Sequence, residues 1–180
     1  EKPLPPPQPP RFVFETTEKC EEAALSVQGL SLSAGGKTLF TGAEFAIRRG
    51  EKVAIVGENG TGKSTLIREL VKGHDPAVKR GRFVKMGYYD QENADLDPEE
   101  TVLGALWHKH TALSQTQARS MLAQAKLSAE DIDKKVRSLS GGERAKLALV
   151  LLEAEKANFL VLDEPTNHLD LQAREALEEA

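Results

Sequence analysis

The stretch that decides the fold runs Val53-Ala54-Ile55-Val56-Gly57-Glu58-Asn59-Gly60-Thr61-Gly62-Lys63-Ser64-Thr65-Leu66-Ile67-Arg68-Glu69-Leu70. Val53 to Val56 form a continuous apolar run, which reads as a buried parallel strand. Leu66 to Leu70 read as helix. Between them, Gly57 to Ser64 match G-x-x-x-x-G-K-[ST], a phosphate-binding loop (P-loop) that requires this strand and this helix around it. The glycines allow positive φ and close backbone approach, so successive N–H groups can point at phosphate oxygens. The helix N-terminus adds its partial positive charge. Gly57, Glu58, Asn59, Gly60, Thr61, Gly62, Lys63, Ser64 and Thr65 are therefore the candidate nucleotide cradle. Lys63 is expected to reach the β and γ phosphates, and the Ser64 hydroxyl to bind Mg²⁺.

On the N-terminal side, Leu25, Val27, Leu30 and Leu32 suggest a strand, with Gly29 as a bulge or kink. Gly35-Gly36 signals a turn, after which Lys37 to Phe40 resume a strand. Phe45 and Ile47 lie on one face of another strand, closed by Arg49-Gly50. These short strands are expected to form an antiparallel layer beside the main sheet. Residues 1–24 read as a proline-rich linker or tail, because six of the first ten residues are proline and favour extended chain. Phe12 and Phe14, alternating around Val13, are suited to docking as a short extended segment.

On the C-terminal side, Gly73 to Gly81 read as a loop and Arg82 to Tyr89 as a strand leading into Asp90-Gln91. A mainly helical region follows from Thr101 to Val136, with Val102, Leu103, Leu106 and Trp107 at helical spacing. Trp107 is expected to anchor its core. Ser128-Ala129-Glu130-Asp131 resembles an N-cap followed by first-turn acids. Arg144 to Glu155 read as a helix rich in Ala, Leu and Val, Phe159 to Leu162 as a second buried strand, and Leu171 to Ala180 as a further helix.

A P-loop needs a second acidic element to hold the metal. The strand Phe159 to Leu162, followed directly by Asp163-Glu164, supplies one. Asp163 is placed to orient Mg²⁺ through water, and Glu164 to polarise the attacking water. Leu139-Ser140-Gly141-Gly142-Glu143 opens a helix with Ser and two glycines, a second anion site. With the phosphates already held by the P-loop, a second such site suggests work in trans, on a nucleotide held by another domain.

This ordered set resembles the ATP-binding-cassette (ABC) ATPases over about Leu25 to Ala180. The P-loop corresponds to their Walker A motif, Leu160 to Glu164 to Walker B, and Leu139 to Glu143 to the signature motif. Gln91 corresponds to the Q-loop glutamine, a ligand of Mg²⁺ and water in that family, and Leu169-Asp170 to the D-loop. The resemblance implies an α/β P-loop NTPase of ABC type: a mostly parallel core sheet, an antiparallel β layer and a small helical subdomain at about 93–137. It implies an ATPase with ATP and Mg²⁺ as cofactors. Glu164 is then catalytic, and Ser64, Gln91 and Asp163 hold the metal. Ser140, Gly141, Gly142 and Glu143 act in trans on the nucleotide of a partner cassette, with Asp170 in the D-loop. The family's adenine-stacking aromatic falls near Ala34, which cannot stack, so Phe40 is the candidate substitute. The switch histidine is expected on a later strand, beyond Ala180, so the cassette at 25–180 reads as truncated.

Asp163-Glu164-Pro165-Thr166-Asn167-His168-Leu169-Asp170 resembles the ABC-F subfamily in particular. That resemblance implies two cassettes in one chain, no membrane spans and, for many members, action on the ribosome, in some cases relieving antibiotic inhibition. The alternative is the ATPase subunit of a transporter with separate membrane subunits, against which Asn167-His168 and the proline-rich lead-in argue. A third class is a cytosolic cassette in which ATP binding is a switch.

Composition fits these readings. A chain of 180 residues can bury one sizeable core. A net charge of −4 provides no overall basic footprint, so any nucleic-acid contact has to be local. The single Cys20 excludes an internal disulfide and suits a reducing compartment. No apolar run approaches the ~18 residues of a membrane span, and the start has no apolar signal-peptide core. A cytoplasmic location is expected.

Overall fold

Apolar residues at every second or third position between Leu25 and Leu32 demand a strand with one irregular step. The computed structural model, which describes residues 8–16, 18–90 and 96–180, has it. β1 (Ala23–Ala34) and β2 (Lys37–Arg48) form one long antiparallel hairpin, paired from Ala23 with Arg48 to Ala34 with Lys37. The loop is Gly35-Gly36, both at positive φ (58° and 77°), as a two-residue hairpin turn requires. The register shifts between Gln28 and Leu30, at Gly29, where the bulge is expected. Lys37–Phe40 and Phe45–Ile47, expected as separate strands, thus belong to a single one.

On the other side of β1 lies β3 (Val78–Arg80), giving the order β2-β1-β3. It falls inside Gly73–Gly81, expected to be loop. The strand expected at Arg82–Tyr89 shortens to β4 (Met86–Tyr89), and Phe83 before it takes a left-handed turn conformation at φ 59°, outside the extended region. β4 pairs with β5 (Phe159–Leu162) in a second sheet. Leu25, Val27 and Leu30, each at most 1% exposed, pack with Leu70 and Val78 under Phe40, Phe45 and Ile47.

One expectation fails. Val53 to Val56 join neither sheet, and Val53, Ile55 and Val56 are 59%, 41% and 90% exposed. An apolar run becomes a buried strand only when neighbours supply a ladder and cross-strand contacts. Among the described residues no strand pairs with it.

The chain divides into two compact units. One comprises Thr16–Tyr88 and Ala157–Asp163, and contains the hairpin, β3, β5 and helix α1 (Lys63–Lys72). The other comprises Tyr89–Lys156 and Glu164–Ala180 with the N-terminal segment to Glu15. It is helical: α2 (Val102–Trp107), α3 (Gln115–Gln124), α4 (Ala129–Ile132), α5 (Gly141–Ala154) and α6 (Leu171–Glu179). Each of the five opens on a side-chain cap: Thr101, Ser114, Ser128, Ser140 and Asp170 respectively. Leu106, Leu122, Leu147, Leu149 and Val150 are fully buried at its centre.

One detail departs from expectation. Trp107 is not a core anchor: it is 38% exposed, stacks beside His108, and its indole N–H donates to the Leu113 carbonyl at 3.0 Å. An indole N–H needs an acceptor, which draws the ring to the rim. The N-terminal segment docks at Phe12, in line with the alternation of Phe12 and Phe14 around Val13. Phe12 is 3% exposed, and Arg11 N–H donates to the Gln124 carbonyl at 3.0 Å. Val13 N–H donates to Glu153, whose carboxyl burial nevertheless pushes above its usual range.

Candidate functional site

Gly62 is the residue on which the P-loop turns. Its φ of 97° is left-handed, and a Cβ there would sit 2.5 Å from Leu39 Cδ1, so no side chain fits. It is the N-cap of α1, and no side chain caps that helix. The loop is otherwise tied to itself. Thr61 Oγ1 donates to the Glu58 carbonyl at 2.8 Å. Lys63 Nζ donates to the carbonyls of Gly57 and Glu58, both at 2.8 Å. The first turn of α1 thus presents N–H groups and an ammonium group around one loop, which is what polyphosphate recognition needs.

Asp163 follows β5 in the same unit. It is 4% exposed, and its Oδ2 is one of two buried side-chain polar atoms without a hydrogen-bond partner among the described residues. A buried orphan carboxylate oxygen is costly, and a cation is the usual compensation. No group of three or more His, Cys, Asp or Glu able to hold a metal occurs among the described residues. Mg²⁺ typically takes one or two carboxylates and completes its shell with phosphates and water, and Asp163 offers one such carboxylate. Gln91 lies outside the described residues. Phe40 packs on the hairpin core, and Ala34 is exposed at the end of β1.

In the helical unit, Ser140 caps α5 by a full capping box. Its Oγ accepts from Glu143 N–H at 3.3 Å, and Glu143 Oε2 accepts from Ser140 N–H at 2.7 Å. Gly142 is required by contact, since a Cβ there would meet the His168 carbonyl oxygen at 3.0 Å. Glu164 stands at φ 48°, and its Oε2 accepts from Asn167 Nδ2 at 2.6 Å. Asp170 caps α6 and receives Lys146 Nζ from α5 at 2.9 Å, which holds its carboxyl below the usual range. Glu164 to Asp170 and the signature glycines are thus joined inside one unit.

The model of the ABC transporter family matches residues 40–167 of the 180. The chain belongs to the ABC transporter family. Within it, an ATP-binding protein of Bacillus subtilis, YdiF, is 44% identical over 99% of this chain and 28% of its own length. The ribosome protection protein VmlR of the same organism is 37% identical over 99% of this chain and 33% of its own. ABC transporter F family member 5 of Arabidopsis thaliana is 38% identical over 88% of this chain and 24% of its own. The chain therefore spans about a quarter to a third of these relatives. Among solved structures, a dimeric ATP-binding cassette in a post-hydrolysis state with ADP and Pi superposes with a TM-score of 0.71. It is 20% identical and is matched over 86% of this chain and 80% of its own. The fold is thus that of an ABC cassette. No helix among the described residues is long and apolar enough to cross a membrane.

Several features of this ABC cassette escaped the sequence reading. Leu39, which enforces Gly62, lies on β2 and carries no motif. Lys146, which grips Asp170, sits six residues past Ser140 with nothing in the sequence to mark it. The bond between Asn167 and Glu164 has a weak signal at best, a Pro one residue after an acid and an amide three residues on.

Proposed function

We propose that this chain is the ATP-binding and ATP-hydrolysing cassette of an ABC-F-type protein, one that closes on a second cassette and acts on the ribosome from the cytoplasm. The observation that carries the nucleotide reading is the opening of α1: Gly62 at φ 97°, no side-chain cap, and Lys63 returned onto the loop carbonyls. Backbone N–H groups from Gly60 to Thr65 bind the phosphates, and Lys63 moves from the Gly57 and Glu58 carbonyls to phosphate oxygens. Asp163 Oδ2, the Ser64 hydroxyl and Gln91 would hold Mg²⁺, which would neutralise charge on the phosphoryl oxygens. Glu164, next in the chain to Asp163, accepts a proton from the attacking water. Ser140, Gly141, Gly142 and Glu143 serve the nucleotide of the opposing cassette, with Asp170 beside them in the chain fold.

Support for the ribosomal part is the likeness to a ribosome protection protein across 99% of this chain, and the likeness to a plant F-family member supports the ABC-F part. The test is Glu164→Gln in the full-length protein. Gln keeps the shape of Glu and loses the charge that polarises water. Hydrolysis is expected to fall at least about 100-fold while ATP still binds, since general-base losses are of this order. The trapped protein, with the same change in the other cassette, is expected to stay with ribosomes on co-sedimentation with ATP. Undiminished hydrolysis removes Glu164 from its role, and loss of hydrolysis with no gain in ribosome retention removes the ribosomal part.

A further inference from the structure

We propose that Asn167 is a positioning residue for hydrolysis: its side-chain amide holds Glu164 Oε2 so that Oε1 faces the water to be deprotonated. The proposal rests on the reading of Glu164 as the general base. Its evidence lies wholly within the helical unit.

Glu164 has a left-handed backbone at φ 48°, a conformation that non-glycine residues avoid unless their surroundings impose it. Glu164 is also the first residue of a turn. Asn167 N–H donates to the Glu164 carbonyl at 3.1 Å, closing a four-residue turn with Pro165 in its second position. That turn brings residue 167 back beside residue 164. Asn167 Nδ2 then donates to Glu164 Oε2 at 2.6 Å. A carboxylate only accepts, so the amide must present its NH₂ and not its carbonyl. An exposed Glu has three side-chain torsions and would sample many rotamers. One short bond to one oxygen removes most of that freedom and leaves the other oxygen for chemistry.

The far end of the turn is seated as well. His168 takes a second left-handed conformation at φ 65°. Its ring Nδ1 lies 3.4 Å from where a Cβ of Gly141 would stand, and its carbonyl oxygen 3.0 Å from that of Gly142. Leu169 is 3% exposed, and its N–H donates to the Thr166 carbonyl at 3.3 Å. Asp170 is held by Lys146 of α5 at 2.9 Å. Asn167 therefore reaches Glu164 from a backbone fixed against the start of α5.

Asn167→Asp tests this in the full-length protein. Asp has the shape of Asn and tolerates the same turn, but it has no donor for a carboxylate. The expected result is a kcat for ATP lower by about 10- to 100-fold, with KM and Mg-ATP affinity within about twofold, as for a misplaced catalytic group. Asn167→Ala, which adds no charge, is expected to lower kcat in the same way and stands in should the Asp variant fail to fold. In an E164Q background, N167D is expected to cause no further loss. A kcat within about twofold of the parent in both Asn167 variants, alongside an inactive E164Q, overturns the positioning role and leaves Glu164 in place. Equal losses in kcat and nucleotide affinity, or a further loss in the E164Q background, also overturn it. Full activity of E164Q overturns the reading of Glu164 itself.

Discussion

Two helices in this cassette open on glycine-rich turns, and they treat their first N–H groups in opposite ways. α1 begins at Gly62, which has no side chain to offer and whose left-handed φ leaves room for none. α5 begins at Ser140, whose hydroxyl and whose partner Glu143 satisfy each other's backbone N–H groups reciprocally. A bare N-terminus keeps its donors for an external anion, whereas a capped one is stable without a ligand. Similar residues thus yield a helix start left open for an anion in one case and one that stands without a ligand in the other. The first makes nucleotide affinity the sensitive quantity, and the second makes stability the sensitive one.

The strongest way to break this contrast is at the bare end. Lys63→Ala is expected to lower Mg-ATP affinity at least about 100-fold by calorimetry, since it removes the one side-chain cation of the cradle and charge-assisted bonds to phosphate are among the strongest. Equal affinity in variant and parent would mean that α1 is an ordinary helix start.

The capped end is expected to respond differently. Ser140→Ala should cost about 1 kcal/mol in chemical denaturation, the usual value for a lost N-cap. Mg-ATP affinity at the P-loop of the same chain should stay within about twofold, because that loop makes its own donors available. A large loss of affinity without loss of stability would erase the distinction between the two helix starts.

The smallest effect sharpens it. α4 repeats the box of α5, with Ser128 and Asp131. Lys134 and then Ser128 hold the Asp131 carboxyl down to about 2. A depressed carboxyl contributes stability above its unfolded value and loses it as pH falls through the folded value. Asp131→Ala is therefore expected to lower stability by about 1 kcal/mol near neutral pH. In urea denaturation that deficit should be constant above about pH 4 and shrink between pH 3.8 and 2. A deficit that is the same at pH 7 and pH 2.5 would mean that packing, not the ionised box, is what Asp131 supplies.

What could be read in advance follows the same division. Features set by a residue's own backbone or by its near neighbours were legible. Gly35-Gly36 had to turn, Gly29 had to disturb its strand, and Ser128 had to start a helix. The positive φ of Gly60 and Gly62 was legible because it is a local demand that glycine meets. Features set by distant partners were not. β3 hid in an apparent loop because only β1 makes it a strand. The docking of Phe12 was signalled by its alternation with Phe14, but its partner in the helical unit was not. The left-handed Glu164 was invisible because glutamate carries no sign of such a conformation, and only the turn to Asn167 reveals it.

The apolar run Val53 to Val56, without a ladder and largely exposed, has a practical side. Open backbone donors and acceptors flanked by branched aliphatic side chains are a template on which another extended segment can add itself. In the isolated polypeptide this segment competes with correct folding for any strand that comes within reach. Self-association of the 180-residue chain is then expected to start at these four residues, and a net charge of −4 supplies the repulsion that opposes it.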